Sequence, residues 1–229
     1  MKLLLLLIIM SFIIGNYASI ILNNNNTIIL DQHIDNILIS KIIYQLILKE
    51  GEYPIYLYIN SPGGEVLAGN NLINYLLYNN KNIICIANYA ASMAFAILQA
   101  CSKRYGTKYS TFMQHQIQLQ ITNSKTSIDT YMKYADTLQN DFIKFQAKRI
   151  GKSDSDFYNK IKNDWWLTGT EAIKENVIDD LVIVGCDKNL TKELYNVSEY
   201  NTNYHVVYTY SRCPLIIEPI KQYVFPPIK

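Results

Sequence analysis

The sequence predicts an α/β fold in which a mostly parallel sheet is covered by helices. Apolar runs at 27–30, 54–59 and 83–87 have the length and composition of buried strands. The stretches between them, at 34–49 and 66–78, have the apolar spacing or length of helices. Strands that alternate with helices form βαβ units, and these units join parallel strands. A chain of 229 residues that is 49% hydrophobic is long enough for one well-buried domain and an appendage.

The first stretch of the chain has the character of a secretory leader. Lys2 precedes an apolar run at 3–14, and the small residues Gly15 and Ala18 follow that run. A positive charge, a short apolar segment and a small-residue ending are typical of a signal peptide. We therefore expect residues 1–18 to be a signal peptide or a signal anchor that directs the chain to the secretory route.

A glycine turn follows the strand at 54–59. The segment Asn60-Ser-Pro-Gly-Gly64 ends that strand and leads to the helix at 66–78. Two glycines let a ligand approach the backbone closely and leave N–H groups free to point outward. The segment lacks the glycine spacing of a dinucleotide site and the Gly-Lys-Ser/Thr of a P-loop, so we predict no cofactor. An ordinary Pro-Gly turn is the alternative.

A serine among small residues follows the strand at 83–87. Ser92 lies in the segment 88–94, and a short helix at 93–101 is expected to begin beside it, at Met93. Small neighbours let a substrate approach the hydroxyl. The unpaired N–H groups at a helix start can stabilise an oxyanion. The alternative is a small-residue packing site at a strand-to-helix turn.

A histidine follows the next strand-like segment, at 110–113. His115 lies at the end of this segment, where it can act as the base that a serine nucleophile needs. His33 falls in a predicted turn and His205 in the last part of the chain, so His115 is the one histidine well placed to serve Ser92. The alternative for any single histidine is a surface or hydrogen-bonded core residue.

Charge and cysteine spacing exclude two classes of function. The net charge is +2, charged residues make up 17% of the chain and the basic residues are spread out, so we predict no nucleic-acid groove. No two cysteines have the spacing of metal ligands, so a zinc site is not expected. We expect Cys85 to be a packed thiol, whereas Cys186 and Cys213 can pair if their region is oxidised.

Several motifs in sequence order resemble one family. The segments 59–64, 90–93 and 113–116 read Ile-Asn-Ser-Pro-Gly-Gly, Ala-Ala-Ser-Met and Met-Gln-His-Gln, and they resemble the proteolytic subunit of the Clp protease. The resemblance continues into Asp-Trp-Trp-Leu-Thr-Gly-Thr-Glu-Ala at 164–172 and Val-Ile-Asp at 177–179. It implies a crotonase-like α/β fold of repeated βαβ units.

The resemblance also implies the catalytic groups of a serine endopeptidase that hydrolyses peptide bonds. It assigns Ser92 as the nucleophile, His115 as the general base and Asp164 as the third member of the triad. The N–H groups of Gly64 and Met93 would form the oxyanion hole. Asp164 is assigned by the motif alone, because the chemistry of the residues would equally accept other nearby aspartates, Asp154 and Asp156.

Domain limits and assembly follow from the same resemblance. Residues 19–184 would form the peptidase domain, and residues 185–229 would be an extension to which we assign no function beyond a strap over the domain. The stretch at 126–150 is an amphipathic helix that corresponds to the family's handle helix, which implies a homo-oligomer of heptameric rings. The family's pore-lining segment, which meets the Clp-type ATPase partner, is not recognisable. A leader on a member of this family would fit a plastid reached through the secretory route.

Three other functions stay open at the level of sequence. Ile117 and the altered segment after it, together with Asn163, differ from the family pattern and are compatible with a catalytically weak or inactive subunit or scaffold. A signal-peptide-peptidase-type protease with a Ser-Lys dyad would leave the histidine motif unexplained. A crotonase-type acyl-CoA enzyme would use the same fold without pairing Ser92 with His115.

Overall fold

A computed structural model describes residues 17–49, 54–79, 82–200 and 204–226. It confirms the mixed α/β architecture with a mostly parallel central sheet. The predicted leader at 1–18 lies almost entirely outside the described residues and stays a prediction. Within the described ranges, no helix combines the length and the apolar character that a membrane crossing requires.

The central sheet has seven strands in the order β1-β7-β5-β4-β3-β2, with β6 on β5. Neighbours along the main path are parallel, and the β5–β6 pair is antiparallel. The bounds of β2 agree with the prediction, whereas β3 and β4 extend past the predicted runs into the glycine turn and the serine segment. The strands are β1 Ala18–Leu22, β2 Thr27–Leu30, β3 Ile55–Ser61, β4 Ile83–Ala91, β5 Lys103–Gln114, β6 Trp165–Thr168 and β7 Asp180–Cys186.

Seven helices are described, and four of them lie within one or two residues of the predicted bounds. The Asp35 side chain caps the first helix by accepting from the Leu38 N–H at 2.7 Å. Gly151 ends the long helix in the left-handed conformation, with φ 77°. The helices are α1 Asn36–Leu48, α2 Val66–Tyr78, α3 Met93–Gln99, α4 Lys125–Ile150, α5 Asp154–Ile161, α6 Gly169–Lys174 and α7 Lys188–Lys192.

The sheet is buried on both faces, which is why its strands read as continuous apolar runs. On one face, Leu57 and Cys85 belong to the main core, together with side chains of α1, α2 and α3. On the other face, Tyr58 and Ile86 form a smaller cluster with residues of β1 and β7 and with Leu190 of α7. The carboxyl ends of β3, β4 and β5 therefore meet at one edge of a layered core.

Strand β5 is much longer than the predicted segment at 110–113. It begins at Lys103, and its first residues include Arg104, which is only 1% exposed. A buried strand containing arginine breaks the apolar pattern, which is why the prediction missed it. The arginine is tolerated because Asp179 accepts hydrogen bonds from its Nε at 3.2 Å and from its backbone N–H at 2.8 Å.

Both cysteine pairs of the described chain are disulfides. Cys186 and Cys213 are joined, as the sequence allowed, with a Cα–Cα distance of 5.9 Å. Cys85 is bonded to Cys101, so the expectation of a packed thiol was wrong. The reason is tertiary: α3 turns back along β4, and this return brings Cys101, just past the helix, beside the strand.

The C-terminal extension forms a sheet of its own instead of the strap we expected. Its strands, β8 Leu194–Tyr200, β9 His205–Ser211 and β10 Lys221–Phe225, are antiparallel in the order β10-β9-β8. The Cys186–Cys213 disulfide and a hydrogen bond from the Ser211 hydroxyl to the Thr191 carbonyl, at 2.8 Å, attach this sheet to the end of the main domain.

Candidate active site

Ser92 occupies a sharp turn between β4 and α3. Its φ of 54° and ψ of −118° lie in a region that residues other than glycine rarely adopt. The Ser92 N–H donates to the Met113 carbonyl at 2.8 Å, which holds the turn against the end of β5. Strain of this kind is found where a side chain must be presented in one orientation. The serine hydroxyl therefore stands at the carboxyl edge of the sheet, at the start of a helix.

The glycine turn packs directly on this serine. A Cβ on Gly63 would lie 2.8 Å from the Ser92 Cβ and 2.9 Å from the Met93 nitrogen, so only glycine fits. The next residue, Gly64, pairs with Ile34 in an isolated parallel bridge. In that bridge the Ile34 N–H donates to the Gly63 carbonyl and the Glu65 N–H donates to the Ile34 carbonyl, each at 2.8 Å.

Two backbone N–H groups near Ser92 are free to bind an anion. Met93 is the first residue of α3, so its N–H has no acceptor within the helix. The Gly64 N–H has no acceptor within the described chain. Gly63, the neighbour of Gly64, contacts Ser92, and Gly64 and Met93 both line the cavity that contains the serine. Free N–H groups near a nucleophile are what an oxyanion hole requires.

His115 follows directly on the end of β5, beside the serine turn. His115 is half-buried, and its backbone N–H donates to the Oε1 of Gln114 at 2.9 Å. His115, Ser92, Met93 and Gly64 all line one cavity of about 650 Å³. Four of the five predicted site residues therefore share one solvent-accessible space. His33 lines it too, so the expectation that only His115 is placed near Ser92 was wrong: the turn that holds His33 packs beside Gly64.

Asp164 lies next to this cavity but does not line it. Strand β6 pairs antiparallel with β5, with Trp165 opposite Gln114. Asp164 and His115 are the next residues beyond that pair on their two strands. The Asp164 side chain is exposed, and among the described residues no hydrogen bond joins Ser92 to His115 or His115 to Asp164. The alternative aspartates, Asp154 and Asp156, lie in the first turn of α5 and do not line the cavity.

Glutamines form much of the remaining wall, and the sequence reasoning missed their role. Gln114 is 5% exposed and its Nε2 donates to the Oε1 of Gln146, 3% exposed, at 2.5 Å. On α4, the Gln139 Oε1 accepts from the Ile117 N–H at 2.6 Å, which holds the chain after His115 against the helix. The alternation of glutamine from 114 to 120 is visible in the sequence, but the partners on α4 require the fold.

Few charged groups face the cavity. Glu65 is the only carboxylate among the described residues that line it, and no lysine or arginine lines it. The Glu65 carboxylate accepts from the Asn36 side chain at 3.2 Å. No group of three potential metal ligands occurs within the described ranges. A segment that enters this cavity therefore meets one carboxylate and no lysine or arginine of the described lining.

Comparison with known proteins agrees with the motif resemblance. The family model described as Clp protease matches residues 16–184. A protein of Borrelia garinii subsp. bavariensis, the ATP-dependent Clp protease proteolytic subunit, is 28% identical over 162 residues, which cover 68% of this chain and 84% of that protein. The protein of the same name from Borreliella afzelii is 29% identical over 148 residues, which cover 62% of this chain and 75% of that protein.

Proposed function

We propose that this chain, which belongs to the Clp protease family, is a serine endopeptidase with a Ser-His-Asp triad. The Ser92 hydroxyl would attack a peptide carbonyl, and His115 would take its proton and later deliver it to the leaving amine. The carbonyl oxygen would become negative in the tetrahedral intermediate. It would accept hydrogen bonds from the backbone N–H groups of Gly64 and Met93. Asp164 would orient the imidazole and stabilise its charged form.

One observation carries this proposal: the glycine turn is packed on the serine turn. Gly63 approaches the Ser92 Cβ too closely for any side chain, and the adjoining Gly64 lines the same cavity as Ser92 and Met93. This supports a role for the Gly64 and Met93 N–H groups as oxyanion donors. A turn that only connected β3 to α2 would not need to contact Ser92. His115 lines the same cavity, directly after β5, and would supply the base.

A fluorophosphonate probe tests the nucleophile directly. We expect the probe to label the wild-type chain, and the Ser92→Ala variant to show no labelling and to lose hydrolysis of fluorogenic peptides by at least about 10⁴-fold. Ser102→Ala is the matched control, because Ser102 lies outside the cavity and bonds to the Ile83 carbonyl at 2.6 Å. Equal labelling of wild type and Ser92→Ala would contradict the proposal.

A catalytically weak subunit is the second candidate. It is favoured by the exposed Asp164 side chain and by the lack, in the structure described, of a hydrogen bond between Ser92 and His115. An active peptidase is compatible with the same geometry, because catalytic hydrogen bonds often tighten only when substrate is bound. Robust peptide hydrolysis that depends on Ser92 would exclude the weak subunit.

We also propose that the chain acts as a homo-oligomer, in rings of the family type, on peptide or protein substrates. The two relatives carry the name ATP-dependent, which supports a Clp-type ATPase partner. The first half of α4 supports self-assembly, because Tyr131, Met132 and Tyr134 are exposed there.

Routing along the secretory pathway, and onward to a plastid, is a separate proposal. Two disulfides join all four cysteines of the chain, and disulfides persist in oxidising compartments. This supports entry into the secretory route, whereas the plastid destination rests on analogy with the family. Imaging of the full chain with a C-terminal fluorescent tag tests both steps.

A further inference from the structure

We propose that the cavity selects peptides with a side-chain carboxamide, asparagine or glutamine, on the acyl side of the bond to be cleaved. This inference rests on the proposed function, since it concerns the substrate of the same site. It is carried by the glutamines of the cavity wall and by one of them in particular, Gln139.

Carboxamides dominate the polar part of the cavity wall. Six glutamines line it, whereas Glu65 is the only carboxylate among the described lining residues. A carboxamide presents both a donor and an acceptor, so another carboxamide is the side chain that complements it at both atoms. The six are Gln114, Gln116, Gln118, Gln120, Gln139 and Gln146.

Gln139 presents donors that lack acceptors. Its Oε1 is occupied by the Ile117 N–H at 2.6 Å, so the orientation of the amide is set by the backbone. The Nε2 group has no acceptor within the described chain. An apolar substrate side chain would cover these N–H groups without pairing them, which is costly. The oxygen of a substrate carboxamide would accept from them.

Acceptors for the nitrogen of a substrate amide lie on either side of Ile117, the residue that Gln139 holds. The side chains of Gln116 and Gln118 line the cavity and have no hydrogen-bond partner within the described chain. Their Oε1 atoms are available to accept from a substrate amide nitrogen. A lysine side chain would only donate, and it would leave the Gln139 N–H groups unpaired.

The deeper wall is rigid enough to hold this pattern. The Gln146 Nε2 donates to the Phe142 carbonyl at 3.1 Å, and the Gln146 Oε1 accepts from Gln114 at 2.5 Å. Both glutamines are buried, so neither amide is free to reorient toward a mismatched substrate. Selectivity arises when site groups are held in place before the substrate binds.

Acidic side chains should be the poorest substrates. A substrate carboxylate would face the Glu65 carboxylate in the same cavity, and no lysine or arginine of the described lining would offset the repulsion. The expected order is therefore carboxamide, then apolar, then acidic.

The test uses fluorogenic peptides that are identical except for Gln, Leu or Glu on the acyl side of the cleaved bond. For the wild-type oligomer we expect kcat/KM to be about tenfold higher for the Gln peptide than for the Leu peptide. This ratio corresponds to the free-energy cost of leaving one covered donor without an acceptor. The Gln139→Glu variant keeps an acceptor for the Ile117 N–H but loses both donors. We expect it to lose the preference for Gln over Leu.

Asn140→Asp is the matched control for added charge. Asn140 is the next residue on α4, is exposed and does not line the cavity, so the preference for Gln should persist in this variant. Equal kcat/KM for Gln and Leu in the wild type, with hydrolysis dependent on Ser92, would overturn the inference and leave the proposed function intact. Loss of the preference in Asn140→Asp would also overturn it.

Binding keeps the inference testable if no hydrolysis is found. The same peptides, labelled for fluorescence anisotropy, are titrated into the Ser92→Ala oligomer. About tenfold tighter binding of the Gln peptide than of the Leu peptide supports the inference even when the peptidase proposal fails. Equal binding of the two peptides overturns it.

Discussion

At the scale of single residues, the backbone of Ser92 is strained and Gly64 lies where no side chain fits. Ser92 has a positive φ, which only one other non-glycine residue of the described chain, Asn176, shares. Gly64 is held against Ile34 so closely that any side chain would collide with the backbone. Both positions line one cavity. A strained residue such as Ser92 is typical of sites where geometry is needed for chemistry.

We expect Gly64→Ala to impair both stability and catalysis. Its Cβ would lie 2.3 Å from the Ile34 oxygen and 2.7 Å from the Ile34 nitrogen, so the turn must move and take its N–H with it. Overpacking of this kind costs about 1–3 kcal/mol in the free energy of unfolding. Loss of one oxyanion donor costs about 10²–10³-fold in kcat. Urea unfolding and peptide hydrolysis measure the two effects.

Gly151→Ala is the control for Gly64→Ala, because it strains the backbone without a steric clash of the added Cβ. Gly151 has φ 77°, but the nearest atom to an added Cβ is 3.6 Å away, and it lies far from the cavity lining. We expect a loss of about 1–2 kcal/mol in the free energy of unfolding, with peptide hydrolysis unchanged. A Gly64→Ala enzyme as active as Gly151→Ala would refute the assigned role of Gly64.

At the scale of elements, the pairing of β6 with β5 decides where the third member of the triad can be. The two strands are about 50 residues apart in sequence, and their antiparallel register ends at Gln114 and Trp165. Trp165 is buried and packs edge-on to Phe157 at 6.1 Å between ring centroids, which fixes the start of β6. Asp164 immediately precedes this anchored residue.

Asp164→Asn tests whether this position serves His115. If Asp164 orients the imidazole and stabilises its charge, the variant should lower kcat by about 10⁴-fold, because an amide favours the wrong tautomer. Stability should change little, since the side chain is exposed. Asp154→Asn, an exposed aspartate in the first turn of α5, is the control and should leave kcat unchanged. Unchanged hydrolysis by Asp164→Asn would remove this aspartate from the triad.

The long helix α4 has two environments along its length. Its second half packs into the core through Ile143, Ala147 and Ile150, and it presents Gln139 and Gln146 to the cavity. Most of its first half is exposed, including Tyr131 and Tyr134. One element therefore both completes the cavity wall and offers an apolar surface, so any assembly through α4 would be mechanically connected to the site.

At the scale of the whole molecule, one buried ion pair links the segment before β7 to the start of β5. Arg104 is 1% exposed and donates to Asp179 and to the Gln99 Oε1, the latter at 2.7 Å. Arg149 of α4 lies 3.7 Å from the same carboxylate. Burial of Asp179 opposes its ionisation, but hydrogen bonds from Arg104 and the charges of both arginines outweigh it and lower the pKa of Asp179.

Asp179→Asn should destabilise the chain strongly. It leaves the buried Arg104 guanidinium without its carboxylate, which costs about 3–5 kcal/mol in the free energy of unfolding. The pKa of Asp179 is lowered on folding, so the ionised carboxylate contributes fully to the free energy of unfolding above the unfolded-state pKa of about 4. This contribution is lost as the pH falls through the lower folded-state pKa. The difference between wild type and variant in urea unfolding should therefore shrink as the pH falls below about 4.

Glu175→Gln provides the comparison for Asp179→Asn. Glu175 pairs with Lys152 at 2.8 Å and with Lys160 at 3.1 Å, but all three side chains are partly exposed. Such pairs contribute about 1 kcal/mol or less, so this variant should remain close to wild type. An Asp179→Asn variant as stable as Glu175→Gln would show that the buried pair does not hold the two segments together.

The sequence by itself determined the local features. The βαβ alternation, the order of the glycine turn, Ser92 and His115, and the family resemblance can all be read without a structure, because each depends on residues close together in the chain. The bounds of β2 and α2 agree with their predictions for the same reason. Apolar runs and helical spacing of apolar residues indicate which side chains are buried in strands and helices.

Only the tertiary structure decided what depends on distant partners. The burial of Arg104 requires Asp179, the Cys85–Cys101 disulfide requires α3 to fold back on β4, and the role of Gln139 requires α4 to lie over the chain after His115. A charge, a thiol or an amide reads as an ordinary surface or core residue until its partner is known. The proposed chemistry of this site therefore begins in local motifs, whereas the proposed selectivity depends on how separate elements pack.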